Sequence, residues 1–146
     1  MIMDSDLARR LSKEHEYYWR PILRDLPDAW VSALLEFWQR LDEINTATPP
    51  MSDRRYVWVA LRYDLFPAGL TAYASPAVNL RRWTPAHAMA LIAAIDEFHQ
   101  RLQETCEQCG SRTGYRHKTQ LDIGGYDRIL CEQCGQKWEG NPFAER

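Results

Sequence analysis

Two copies of the string Cys-Glu-Gln-Cys-Gly, at residues 106–110 and 131–135, hold all four cysteines of this 146-residue chain. Two residues between the cysteines of each pair let one tight turn aim both sulfurs at a single point. The glycine that follows takes a backbone conformation that a side chain would obstruct. Twenty-one residues separate Cys109 from Cys131, which is room for a β-hairpin that brings the two turns together. Four converging thiolates, Cys106, Cys109, Cys131 and Cys134, suit tetrahedral Zn²⁺, and closed Cys₄ coordination leaves no position for a substrate or an activated water. The site is therefore expected to be structural. Iron in a rubredoxin-like centre takes the same four ligands, and zinc is favoured because ribbons are the commoner use of this spacing.

Two other uses of four thiols compete with a metal. Disulfides belong to oxidising compartments, whereas the N-terminal Met-Ile-Met-Asp-Ser-Asp has no basic region followed by an apolar run. A reduced, cytoplasmic location is expected. A redox Cys-x-x-Cys pair normally opens a helix after a buried strand. Two pairs flanking a hairpin-like insert fit a metal ribbon better.

The insert alternates as a strand should. Tyr115, His117, Thr119, Leu121 and Ile123 fall on one side, and Arg116, Lys118, Gln120 and Asp122 on the other. Gly124-Gly125 supplies a turn, residues 126–130 return to the second knuckle, and residues 136–139 are expected to add a short third strand. With these residues in view, Cys-Glu-Gln-Cys-Gly-Gln-Lys-Trp at 131–138 resembles the distal knuckle of zinc ribbons in transcription elongation factor S-II and small RNA polymerase subunits. The resemblance covers about a quarter of the chain and implies a ribbon fold, the four metal ligands and contact with a macromolecule. The adjacent Asp-Glu pair at the hairpin tip of elongation factor S-II has no counterpart in the Leu-Asp-Ile-Gly-Gly of residues 121–125, so cleavage stimulation is not implied.

The elements that must carry this ribbon lie in residues 1–105. Asp4 or Ser5 begins a helix expected to reach about Trp19 and to stop before Pro21. Asp25 and Asp28 begin a second, in which Trp30, Leu34, Phe37, Trp38, Leu41 and Ile44 recur at helical spacing. Residues 54–65 switch period. Val57, Val59, Leu61, Tyr63 and Leu65 share one face of a strand, and Arg54, Tyr56, Trp58, Ala60, Arg62 and Asp64 share the other. Residues 66–69 make a turn, and residues 70–75 pair back. Thr84-Pro85 starts a last helix, with a hydroxyl cap and proline at the first helical position. It is expected to run to about Gln103 and to present Met89, Leu91, Ile92, Ile95, Phe98 and Leu102 to a core. No Gly/Ser/Pro stretch separates this helix from Cys106, so the ribbon is expected to be mounted rigidly. The fold class that follows is α+β: a mostly helical domain with a β-hairpin over 1–105, and a three-stranded Cys₄ ribbon over 106–146.

Charge bears on the partner. Residues 1–105 carry 12 basic and 14 acidic side chains, and residues 106–146 carry 6 of each. A zinc tetrathiolate adds a further two negative charges. Proteins built to hold a phosphate backbone are usually basic, so a protein partner is expected ahead of nucleic acid. The candidate contact residues are Tyr56, Trp58 and Arg62 on the strand face and Arg112, Arg116 and Lys118 on the ribbon. The ribbon cations are also the basis of the alternative, a nucleic-acid-binding or transcription-associated factor. No Gly-rich phosphate loop, nucleophile elbow or His-Glu-x-x-His motif is present, and the four histidines are scattered. The expectation is a non-enzymatic regulator, adaptor or inhibitor, with no membrane-length apolar run.

Overall fold

A computed structural model describes residues 3–47, 59–66, 69–76, 84–117 and 128–138. These form four α-helices and two two-stranded antiparallel hairpins, a mixed α+β arrangement. Helix α1, Ser5–Glu14, begins where Asp4 accepts a hydrogen bond from the Leu7 amide at 3.1 Å. It is shorter than its sequence pattern implies. His15 ends it, and the chain passes through turns into a 3₁₀ segment, Pro21–Asp25, whose proline occupies the first position.

The second helix also begins later than expected. Asp28 opens a single 3₁₀ turn, Asp28–Trp30, which leads into α2, Val31–Ala47. All six apolar residues assigned to its inner face, Trp30, Leu34, Phe37, Trp38, Leu41 and Ile44, are buried. Trp38 has the largest of the fully buried side chains. Its indole N–H donates to the Tyr63 hydroxyl at 2.9 Å, which donates in turn to the Tyr18 carbonyl at 3.2 Å. Burial pushes the Tyr63 phenol well above its ordinary value, against smaller opposing effects of Trp38 and Arg20, so the group is a neutral hydrogen-bonding bridge.

Strands β1, Val59–Phe66, and β2, Gly69–Pro76, pair in register from Val59↔Pro76 to Phe66↔Gly69. Leu61, Tyr63, Leu70 and Ala72 face the core, as a period of two requires. Helix α3, Pro85–Glu104, starts at Thr84 with a reciprocal cap in which the Thr84 hydroxyl accepts from the His87 amide and His87 Nδ1 accepts from the Thr84 amide. Its inner face is Leu91, Ala94, Phe98 and Leu102. Met89 and Ile92, expected in the core, are instead 71% and 60% exposed. They lie one or two positions off the 91/94/98/102 line, and among the described residues no element covers them.

Helices α2 and α3 pack against each other with Phe37 stacked on Phe98, ring centroids 4.5 Å apart. Arg40 reaches Glu97 at 2.5 Å, and Arg101 pairs with Glu36 and Ser32. The hairpin is tied to α3 by His99, whose Nε2 accepts the Ala72 N–H at 3.0 Å. Nε2 must therefore be unprotonated in the folded state. Burial lowers the His99 pKa, with Asp96 acting in the opposite sense. A group whose folded pKa is depressed gives its full stability above the unfolded value of about 6.5 and loses it as pH falls toward the folded value. Melting curves from pH 7.5 to 5 should show the parent losing more stability than His99→Gln. Equal losses would show that His99 is not the acid-sensitive tie.

Candidate metal centre

The first knuckle follows α3 directly. Thr105 ends the helix with its hydroxyl donating to the Arg101 carbonyl at 2.6 Å, and its own carbonyl accepts the Trp30 indole N–H at 3.0 Å. This contact joins the knuckle to the turn that precedes α2. The chain then turns tightly, with the Gly110 amide donating to the Cys106 carbonyl at 3.0 Å and the Cys106 amide to the Ser111 carbonyl at 2.8 Å. Gly110 has φ +78°, the left-handed conformation expected of it.

A short hairpin connects the two knuckles. Strand β3, Tyr115–His117, pairs with β4, Arg128–Leu130, in the register Tyr115↔Leu130 to His117↔Arg128. The Glu107 amide donates to the Ile129 carbonyl at 2.8 Å, and the Ile129 amide donates back to the Glu107 carboxylate at 2.6 Å. Glu107 is buried and also pairs with Arg128 at 3.7 Å. Ile129 belongs to the same buried cluster as the residues of α1 to α3. The first knuckle is thus bonded to the strand that delivers the second.

The second knuckle departs from the expected three-stranded ribbon. Cys131 caps a short helix, α4, Glu132–Lys137, so Gln136 and Lys137 are helical where a third strand was expected, and Glu139 lies outside the described residues. Gly135 sits inside this helix and needs no left-handed backbone. Its reason is different: a Cβ there would meet the His117 imidazole at 2.1 Å. The same five-residue string therefore folds in two ways. Glu107 is buried in one copy, while Glu132 is exposed in the other.

The four sulfurs converge. The ligand atoms of Cys106, Cys109, Cys131 and Cys134 all lie within 4.8 Å of one another, and none is in a disulfide. Cys109 and Cys131 Sγ are 3.7 Å apart. Metal–sulfur bonds of about 2.3 Å in a tetrahedron place sulfurs about 3.8 Å apart. The residues present fit a tetrathiolate metal ion. Burial opposes ionisation of Cys106, yet amides of Cys109, Cys131 and Gln108 directed at its sulfur outweigh this and set the thiol down to about 6. Burial and the neighbouring sulfurs push Cys134 up to about 12. One thiolate is stabilised and the next is opposed, which is the imbalance a cation bound among them would remove.

The candidate contact residues are dispersed. Arg62 is on the exposed face of β1, with its guanidinium 4.6 Å from the centre of the Tyr73 ring on β2. Arg112 lies 3.7 Å from Glu104 and lines a groove between α2 and α3. Arg116 is exposed on β3. Tyr56, Trp58 and Lys118 lie outside the described residues. Sequence reasoning missed Tyr73, which the cross-strand register Arg62↔Tyr73 places beside Arg62. It also missed Glu107 and His117, whose roles depend on chain segments distant in sequence.

Among the described residues, no helix is long and apolar enough to cross a membrane. Comparison of the chain with protein-family models, with curated proteins and with solved structures gives no match.

Proposed function

We propose that this chain is a non-enzymatic zinc protein that binds another protein, with Zn²⁺ held by Cys106, Cys109, Cys131 and Cys134 as a structural ion. The observation that carries the binding role is the outer face of the β1–β2 hairpin. Arg62 lies over Tyr73 there, with Asp64 beside it at 3.8 Å, while the opposite row of Leu61, Tyr63, Leu70 and Ala72 supplies the core. An arginine and a tyrosine already placed together lose little freedom on contact and are over-represented among residues that dominate protein interfaces. A closed four-thiolate set favours a structural ion over a catalytic one. On the ribbon, Arg112 and Arg128 already face Glu104 and Glu107, which favours a protein partner over a phosphate backbone.

The test is capture of partners from nuclease-treated lysate by the parent and by Arg62→Ala with Tyr73→Ala. The double variant is expected to lose capture with a melting temperature within about 2 °C of the parent, because substitutions at exposed positions typically change stability by less than about 0.5 kcal/mol. Capture by the double variant at the parent's level would reject this surface. Capture that disappears on nuclease treatment would reject a protein partner.

A further inference from the structure

We infer that His117 is a positioning residue of the metal centre, holding the second knuckle in place without being a ligand. A lone histidine at the end of a short strand ordinarily carries no such role. Three contacts assign it here. Its Nε2 lies 3.0 Å from the Leu130 carbonyl, and since a carbonyl only accepts, Nε2 carries the proton and donates. Leu130 is the residue immediately before Cys131, so this bond fixes the peptide that orients a ligand. The ring also occupies the space over Gly135, where an added Cβ would lie 2.1 Å from Cε1, 2.7 Å from Nε2 and 2.8 Å from Nδ1. Gly135 immediately follows the ligand Cys134. The Tyr115 ring completes the packing, with its centroid 4.3 Å from that of His117.

The imidazole therefore touches the chain just before Cys131 and just after Cys134. It sets the distance between β3 and α4, and with it the approach of the second pair of sulfurs to the first. Groups that orient ligands from outside a metal centre change affinity by about 10- to 100-fold when removed. The glycine explains itself in the same terms: only a residue without a side chain lets the ring close over the knuckle.

The inference rests on the proposed metal centre, and the experiment separates the two. Zn²⁺ affinity is measured by competition with a chromophoric chelator for the parent, His117→Ala, Gly135→Ala and the double variant, with Co²⁺ absorption reporting the geometry around the ion. A parent that takes up no stoichiometric Zn²⁺ refutes the centre itself. With a parent that binds, His117→Ala is expected to weaken Zn²⁺ about 10- to 100-fold and to shift the Co²⁺ bands while retaining four-sulfur coordination. Gly135→Ala is expected to weaken binding at least about tenfold when His117 is present and less than about threefold when it is absent, because the methyl then enters vacated space. If His117→Ala does not fold well enough to titrate, Gly135→Ala and His117→Gln, which keeps an N–H donor, decide the matter. The former should weaken binding, and the latter should retain most of it. His117→Ala affinity within about threefold of the parent with unchanged Co²⁺ bands, or an equal Gly135→Ala loss in both backgrounds, overturns the inference.

Discussion

Cys131→Ser is expected to remove the metal from the protein and to leave residues 106–138 open to proteolysis. Cys131 has three roles at once. Its sulfur lies 3.7 Å from that of Cys109, its amide is directed at the sulfur of Cys106, and it caps α4. Serine keeps the amide and the backbone at this N-cap position, where the side chain makes no capping bond, so the change falls on the sulfur. Among the described residues, the region's own apolar cluster is small. Its buried cluster consists of Cys106, Leu130 and Cys131, with Cys134 and Trp138 partly buried beside them, and its hairpin has three residues in each strand. An apolar core of that size does not offset the entropy of ordering the segment. Metal binding in small Cys-rich folds supplies about 10–16 kcal/mol near neutral pH, and that free energy is the folding free energy. Elemental analysis should find one metal per parent chain and well under one per variant chain. Mass-mapped limited proteolysis should place the new cuts within residues 106–138 while α1 to α3 resist. A parent without stoichiometric metal, or a variant that resists protease as the parent does, would reject this account.

The contrast between the two knuckles shows what a sequence does and does not make legible. Cysteine spacing picked out the four sulfurs that converge because those of a Cys-x-x-Cys pair are held by a single turn, a local constraint. Thr84-Pro85 likewise marked the start of α3, since capping involves one turn of chain. The alternation in β1 put Leu61 and Tyr63 inside and Arg62 outside for the same reason. Beyond the shifted ends of α1 and α2, the errors concern where one element meets another. Identical strings at 106–110 and 131–135 form a turn and a helix, and the second lies under His117 whereas the first does not. Met89 and Ile92 fit a helical pattern, yet periodicity does not reveal how much of a helix its neighbours cover. The expected third strand extended the hairpin pattern past the second knuckle, whereas the chain turns into helix directly after Cys131, which takes in Gln136 and Lys137. His117 had little local signal, since two of its three contacts are to Leu130 on β4 and Gly135 on α4, distant in sequence.

Trp38→Ala should produce the largest loss of stability in residues 3–105, and it should do so without affecting metal content. Trp38 is fully buried in α2, with His15 at 4.9 Å and Tyr18 at 6.2 Å between ring centroids. Removing a buried indole loses its transfer free energy and leaves a cavity, together about 3–5 kcal/mol. It also deprives the Tyr63 hydroxyl of a donor, although that hydroxyl can still donate to the Tyr18 carbonyl. The hairpin and α2 are joined through this hydroxyl, so they should loosen together. For a chain of this length the loss corresponds to a fall in melting temperature of roughly 10–15 °C. Trp38→Phe isolates the hydrogen bond, because most of the ring volume remains while the N–H is lost, and it should cost less than half as much. The four clustered cysteines all follow Thr105, whose carbonyl is bonded to the indole of Trp30, not of Trp38. Metal content in folded Trp38→Ala should accordingly equal that of the parent. A loss below about 1 kcal/mol would show that this ring does not fill the core. Loss of metal at temperatures where the variant is still folded would show that the helical core and the ribbon form one cooperative unit, with Trp30 and Ile129 as the contacts through which instability spreads.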